Sequence, residues 1–151
     1  MKVYIRDSQY NPWKESCTYE EKYLRVGEHG AKSIFVGSMR DMNEGDAVRS
    51  MVLEHYPEMT QKHLEIIAED AVKKFDVLDV LILHRVGKVS PGDPIVCVVV
   101  WSIHRGPAYD ANRFIMEDLK SKAPFWKKEV LEESASKENS KQRWVENNTP
   151  G

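Results

Sequence analysis

Apolar and polar residues alternate over residues 2–6, with Val3 and Ile5 on one side, which predicts a short strand. Residues 7–31 are polar and lack a period. Asn11-Pro12 and the stretch from Gly27 to Gly30 are turn signals, so an irregular segment is expected there. Residues 32–37 read as a second strand, closed by Gly37 and followed by Ser38, Met39 and Arg40. A loop over 41–46 holds Asn43 and Gly45, and Val48, Met51 and Leu53 mark a strand over 48–54. From Pro57 to Phe75 the spacing becomes helical: Leu64, Ile67, Ala68, Ala71 and Phe75 share one face, and proline suits a first helical turn.

Residues 77–89 are strand-like and rich in β-branched side chains. Ser90-Pro91-Gly92-Asp93 has proline second and glycine third, as a type II turn requires. Residues 94–104 form another strand. It is apolar on both faces, which predicts a central position, and with 77–89 it makes the best hairpin candidate. A second helix is expected from Pro107 to Lys122, with Ala108, Ala111, Ile115 and Leu119 along its core stripe. Pro124 disfavours helix at Ala123 and ends it. Residues 132–143 are rich in Glu, Ser, Lys and Asn and are expected to be mobile. Trp144-Val145 stands out in this polar stretch as an anchor that docks on this subunit or on a partner. Strands and helices do not alternate strictly, so the class is α+β. Residues 1–146 read as a single domain, and 147–151 as a mobile C-terminal tail.

Composition adds little. The chain of 151 residues is 41% hydrophobic and 30% charged, with a net charge of −2, which suits one globular domain and gives no reason to expect nucleic acid or membrane binding. The two cysteines, Cys17 and Cys97, make no CxxC. Cys97 sits in an apolar run, where a buried free thiol is expected, and a reducing cytoplasm fits this usage. No secretory leader is read at the N-terminus. The longest apolar run, Ile95 to Trp101, is too short to cross a bilayer.

Motifs for nucleotides and metals are missing: there is no GxxxxGK[ST], GxGxxG or HExxH. The pair His55 and His63 would share a helix face but lacks a third ligand, so no metal site is expected. What remains is cationic. Arg40 follows a strand end, His104-Arg105 follows the most apolar strand, and His84-Arg85 interrupts the strand before it. Lys120, Lys122, Lys127 and Lys128 flank Pro124. Loops beyond strand ends gather binding groups, guanidinium suits phosphate, and a lysine beside other cations gives up its proton more easily. This set predicts a small anionic, phosphorylated ligand. Plainer readings stand beside it. Lysines at a helix end answer the helix dipole, His84 in an apolar strand is a hydrogen-bonded core histidine, and Phe125 and Trp126 are packing groups.

The same residues fall in segments that resemble the large subunit of molybdopterin synthase in order and spacing. These are Phe35-Val36-Gly37-Ser38-Met39-Arg40, Leu53 to Met59, His84-Arg85-Val86-Gly87, Pro91-Gly92-Asp93, Ser102-Ile103-His104-Arg105, Ala108 to Ala111, Leu119-Lys120, Pro124 to Glu129, and Trp144-Val145. The resemblance implies an α/β hammerhead fold with an additional antiparallel β subdomain, in a homodimer within a heterotetramer. It implies a small ubiquitin-like sulfur-carrier subunit ending in a Gly-Gly thiocarboxylate, with cyclic pyranopterin monophosphate as substrate and no cofactor. Substrate contacts carry over to Ser38, Met39, Arg40, His104, Arg105, Lys120, Lys127, Lys128 and Glu129. Lys120 and Lys127 take the catalytic places. Two positions depart from the family pattern: Met39 replaces the usual valine, and Ser38 a frequently basic residue. A non-catalytic receptor for a partner's C-terminal tail, or a nucleic-acid binder using the lysines, are the rival readings. Near-neutral net charge argues against the second.

Overall fold

The computed structural model describes residues 1–131 and 141–146. Its elements are β1 (Lys2–Arg6), α1 (Pro12–Tyr23), β2 (Ala31–Ser38), β3 (Met42–Asn43), β4 (Asp46–His55), α2 (Pro57–Lys74), β5 (Asp79–Arg85), β6 (Gly87–Val89), β7 (Pro94–Ser102), α3 (Arg105–Lys122), β8 (Phe125–Leu131) and β9 (Gln142–Trp144). The class is α+β, as expected.

The first sheet has the order β1-β5-β7-β2. β1 runs parallel to β5, and the other pairs are antiparallel. The doubly apolar run lies in its interior because both faces are covered. Val96, Val98 and Val100 pack with Leu64, Ile67 and Ala71 of α2 and Ala111, Ile115 and Leu119 of α3. On the other face Cys97, Val99 and Trp101 meet Tyr19 of α1. Asn112 clasps α3 to this sheet: its buried amide donates to Ser33 O at 3.3 Å, Ser33 Oγ at 3.1 Å and Val98 O at 3.1 Å.

The second sheet has the order β3-β4-β8-β9, with β6 also paired to β4. Its apolar residues Val48, Met51, Leu53 and Val89 cluster with Met39, which follows β2.

Three expectations change. The irregular reading of 7–31 fails, because α1 occupies its middle. Asn11 and Pro12, read as a turn, are a helix start: Asn11 Oδ1 accepts from Trp13 N at 3.0 Å and Lys14 N at 3.1 Å, and Pro12 needs no donor at the first position. The single strand over 77–89 is two. Gly87, at φ +82°, breaks it in a left-handed conformation that glycine tolerates. β5 stays in the first sheet, while β6 crosses to β4 of the second. Arg85 pins the break, donating from Nε to Val86 O at 3.3 Å and from Nη2 to Lys88 O at 2.8 Å. Finally, Phe125 to Leu131 form a strand directly after Pro124, and Gln142–Trp144 pairs with it, so the stretch expected to be mobile contains an ordered end. Its remainder, 132–140, and the tail 147–151 lie outside the described residues.

The turn at 90–93 holds: Gly92 has φ +88° and Asp93 N donates to Ser90 O at 3.0 Å. Helix α3 begins at Arg105, two residues earlier than expected. Both cysteines are free, and Cys97 is buried.

Candidate active site

A cavity of about 140 Å³ opens where the two sheets meet. Three pieces of chain deliver the residues expected there. The first is the end of β2. A β-carbon on Gly37 would stand 2.9 Å from Val96 Cγ1, so the strand runs close to its neighbour there. The register shifts between Gly37 and Ser38, and such a bulge re-aims the side chains beyond it. Met39 N then donates to Asp93 O at 2.9 Å, and Gly92 N to Met39 O at 2.8 Å. The 90–93 turn thus holds Ser38, Met39 and Arg40 at the cavity wall.

The second piece is the last turn of α3, which brings Lys120. The third is β8. Side chains alternate along a strand, so Lys127 and Glu129 both line the cavity, whereas Lys128 lies outside it, with its ammonium 5.6 Å from the centre of the Trp144 ring.

Burial, and then the neighbouring Lys120 ammonium, pull the Lys127 ammonium down to a pKa of about 8. Glu129 is only 4% exposed, and both its oxygens are taken: Oε1 accepts from Asn43 Nδ2 at 2.7 Å and Oε2 from Arg143 Nε at 2.9 Å. His84 also lines the cavity. Its Nδ1 lies 2.8 Å from Arg85 O. A carbonyl only accepts, so Nδ1 carries the proton. Burial, reinforced by Lys127 and Lys120, pushes its pKa down to about 3, which leaves a neutral ring at neutral pH.

Of the residues expected in the site, Ser38, Met39, Arg40, Lys120, Lys127 and Glu129 come together. His104 and Arg105 do not. They sit at the N-terminal end of α3, exposed, and Lys120 lies at its other end, roughly 22 Å along a helix axis of this length. Within one copy of the chain, His104 and Arg105 therefore stand apart from the other expected contacts, as does Lys128. Lys122 is surface charge, paired with Asp118 at 3.0 Å. His55 ends β4 while His63 is on α2, so they share no helix. The core reading of His84 is right but incomplete, since the ring also faces the cavity. Asn43, Phe125, Arg143 and Val145 went unrecognised as parts of the site. Only the isolated Trp144-Val145 pair hinted at the last of these, and Trp144 docks on this subunit through β9.

The family model described as "MoaE protein" matches residues 11–122, well over half of the chain. The chain belongs to the MoaE family. It is 53% identical over 117 residues to the molybdopterin synthase catalytic subunit of Haemophilus influenzae, covering 78% of this chain and 73% of that one. It is 41% identical over 146 residues to the protein of the same name from Pseudomonas aeruginosa, covering 97% and 91%. This longer match extends beyond the family model. The crystal structure of molybdopterin synthase from Staphylococcus aureus superposes with a TM-score of 0.77 at 29% identity, covering 92% of this chain and 94% of that one. Among the described residues, no helix is long and apolar enough to cross a membrane.

Proposed function

We propose that this chain is the catalytic subunit of a molybdopterin synthase and that Lys120 and Lys127 perform its chemistry. The observation that carries this reading is one cavity holding both lysines with Arg40 beside them, one lysine having its pKa pulled down to about 8. The substrate is cyclic pyranopterin monophosphate, whose phosphate and ring suit Arg40 and the 38–40 backbone. Sulfur arrives as the C-terminal Gly-Gly thiocarboxylate of a small ubiquitin-like carrier subunit.

The thiocarboxylate sulfur attacks an oxygen-bearing side-chain carbon of the pterin, forming a C–S bond as the C–O bond there breaks and its oxygen leaves with a proton. Lys120 stands by the carrier's terminal carbonyl, where it moves a proton or stabilises negative charge as the acyl–sulfur bond breaks. Lys127 steadies the anionic intermediate. Water then takes the carrier's acyl group and releases it as a carboxylate. Two such transfers complete the dithiolene.

His104 and Arg105 belong to this reading through a second copy of the chain: in a homodimer, the exposed start of α3 reaches the partner's cavity. Two carriers then complete a heterotetramer. The unpaired cysteines suit a cytoplasmic setting.

Sulfur transfer from purified thiocarboxylated carrier to the pterin precursor tests the proposal. Lys120→Ala is expected to lose nearly all turnover while keeping its fold and its carrier affinity. Full activity in that variant would remove Lys120 from the chemistry. No conversion by the unaltered complex would favour a non-catalytic receptor for the carrier's tail.

A further inference from the structure

We propose that Arg143 is a positioning residue for the transfer chemistry: it holds the Glu129 carboxylate against the cavity wall and offsets its charge, so that Lys127 does not become its ion-pair partner. The inference rests on the proposed role of Lys127 only for its consequence in turnover.

The geometry is a closed ring of hydrogen bonds. Arg143 stands directly opposite Glu129 in the β8–β9 register, so the backbone itself sets the pair. Its Nε donates to Glu129 Oε2 at 2.9 Å, Nη1 to Asp46 Oδ2 at 2.7 Å and Nη2 to Asn43 O at 2.9 Å. Asn43 Nδ2 returns to Glu129 Oε1 at 2.7 Å. The Glu129 side chain is 5% exposed and that of Asp46 54%. Water therefore screens Asp46, and the guanidinium is the partner that answers the buried charge.

Lys127 lies two residues before Glu129 on the same strand face. The charged or titratable groups around it come from several elements: Lys120 of α3, Arg40 after β2, Glu129 of its own strand, and the neutral His84 of β5, with His55 of β4 stacked beyond on Phe125. Glu129 is the only carboxylate among the described residues of the cavity wall. Left alone, it would draw the Lys127 ammonium to itself and hold the proton there. Arg143 occupies that carboxylate, which leaves the lysine's charge for an anionic substrate. The same side chain ties β9, and with it Val145, to the β3–β4 hairpin, so one wall of the cavity depends on it.

An NMR titration of ¹³Cε-lysine-labelled protein, with Lys127 assigned through Lys127→Arg, reads the effect without any turnover. Arg143→Gln and Arg143→Ala are each expected to raise the Lys127 midpoint by about one pH unit. Adding Glu129→Gln to either should bring it back to the unaltered value or below. Glu129→Gln alone, which leaves the guanidinium unanswered, should lower it, and this variant serves if the arginine variants do not fold. An unmoved midpoint in folded Arg143→Gln or in Glu129→Gln, or a raised midpoint that persists in the double variant, overturns the inference. Midpoints that move as stated while lysine variants still transfer sulfur would sink the catalytic assignment and leave the role of Arg143 standing.

Discussion

The imidazole of His84 lies flat on the ring of Phe125, with centroids 3.7 Å apart and planes 10° from parallel. One ring belongs to β5 of the first sheet, the other opens β8 of the second, and both line the cavity. This stack is where the two sheets are joined beside the lysines. It places a neutral, polarisable surface under a cationic pocket.

His84→Phe keeps the stack and removes the Nδ1 hydrogen bond, at a cost of about 1 kcal/mol at pH 7. Its pH dependence is more diagnostic. The folded pKa of His84 is lowered from 6.5 to about 3, so below pH 6.5 the unfolded chain binds a proton that the folded one refuses. The unaltered protein therefore loses stability as pH falls from 6.5 towards 3. The phenylalanine variant lacks this loss of about 2–3 kcal/mol between pH 6.5 and pH 4.5, so urea midpoints should place it below the unaltered protein at pH 7 and above it at pH 4.5.

Lys127 carries the opposite end of the pH range. Its folded pKa is lowered from 10.5 to about 8, so between these values the unfolded chain binds more protons and stability rises with pH. Lys127→Met should abolish that rise in denaturation curves taken at pH 8 and pH 10. Lys127→Met should also reduce turnover by about 100-fold, whereas Lys127→Arg, whose guanidinium keeps its charge, should erase the limb near pH 8 from the rate profile.

Gly37→Ala tests the bulge that aims Ser38 to Arg40. The added methyl meets Val96 Cγ1 at 2.9 Å and Phe35 Cε1 at 3.3 Å, so something must move. A loss of about 1–3 kcal/mol in stability is expected, with a larger proportional loss in pterin affinity, measured by calorimetry.

Asn112→Ala removes the amide that bridges α3 to β2 and β7. Ser33 O and Val98 O lose a donor in a buried place, and a loss of about 2 kcal/mol is expected in chemical denaturation. Because α3 carries Lys120, kcat should fall as well.

Arg105→Ala and Lys120→Ala should each be inactive alone. Mixed and re-equilibrated, they should regain activity, because one cavity of each mixed dimer then combines an intact Lys120 with the partner's intact Arg105. Failure to complement, with mixed dimers shown to form, would remove Arg105 from the partner's site.

Much of this was legible in the chain. The 3.6-residue stripes of α2 and α3, the doubly apolar β7 and the Pro91-Gly92 turn are local or periodic signals, and each lies within two residues of where it was expected. The Asn11-Pro12 pair was seen but misread, since a turn and a helix start use the same chemistry. The site was legible only as types of residue: Arg40, Lys120 and Lys127 belonged to a cationic set, but a helix end by itself explains a lysine such as Lys120, and the family resemblance, not the pattern, gave the lysines their roles.

The sequence alone thus determined the periodic elements, the class and the types of residue at the cavity, because side-chain alternation and turn conformations act over a few residues. Only tertiary structure decided which cations share a cavity. Nothing local shows that Gly87 sends β6 to another sheet or that Arg143 faces Glu129. Those relations depend on strand register and on long-range packing, which join residues far apart in the chain and leave no period in it.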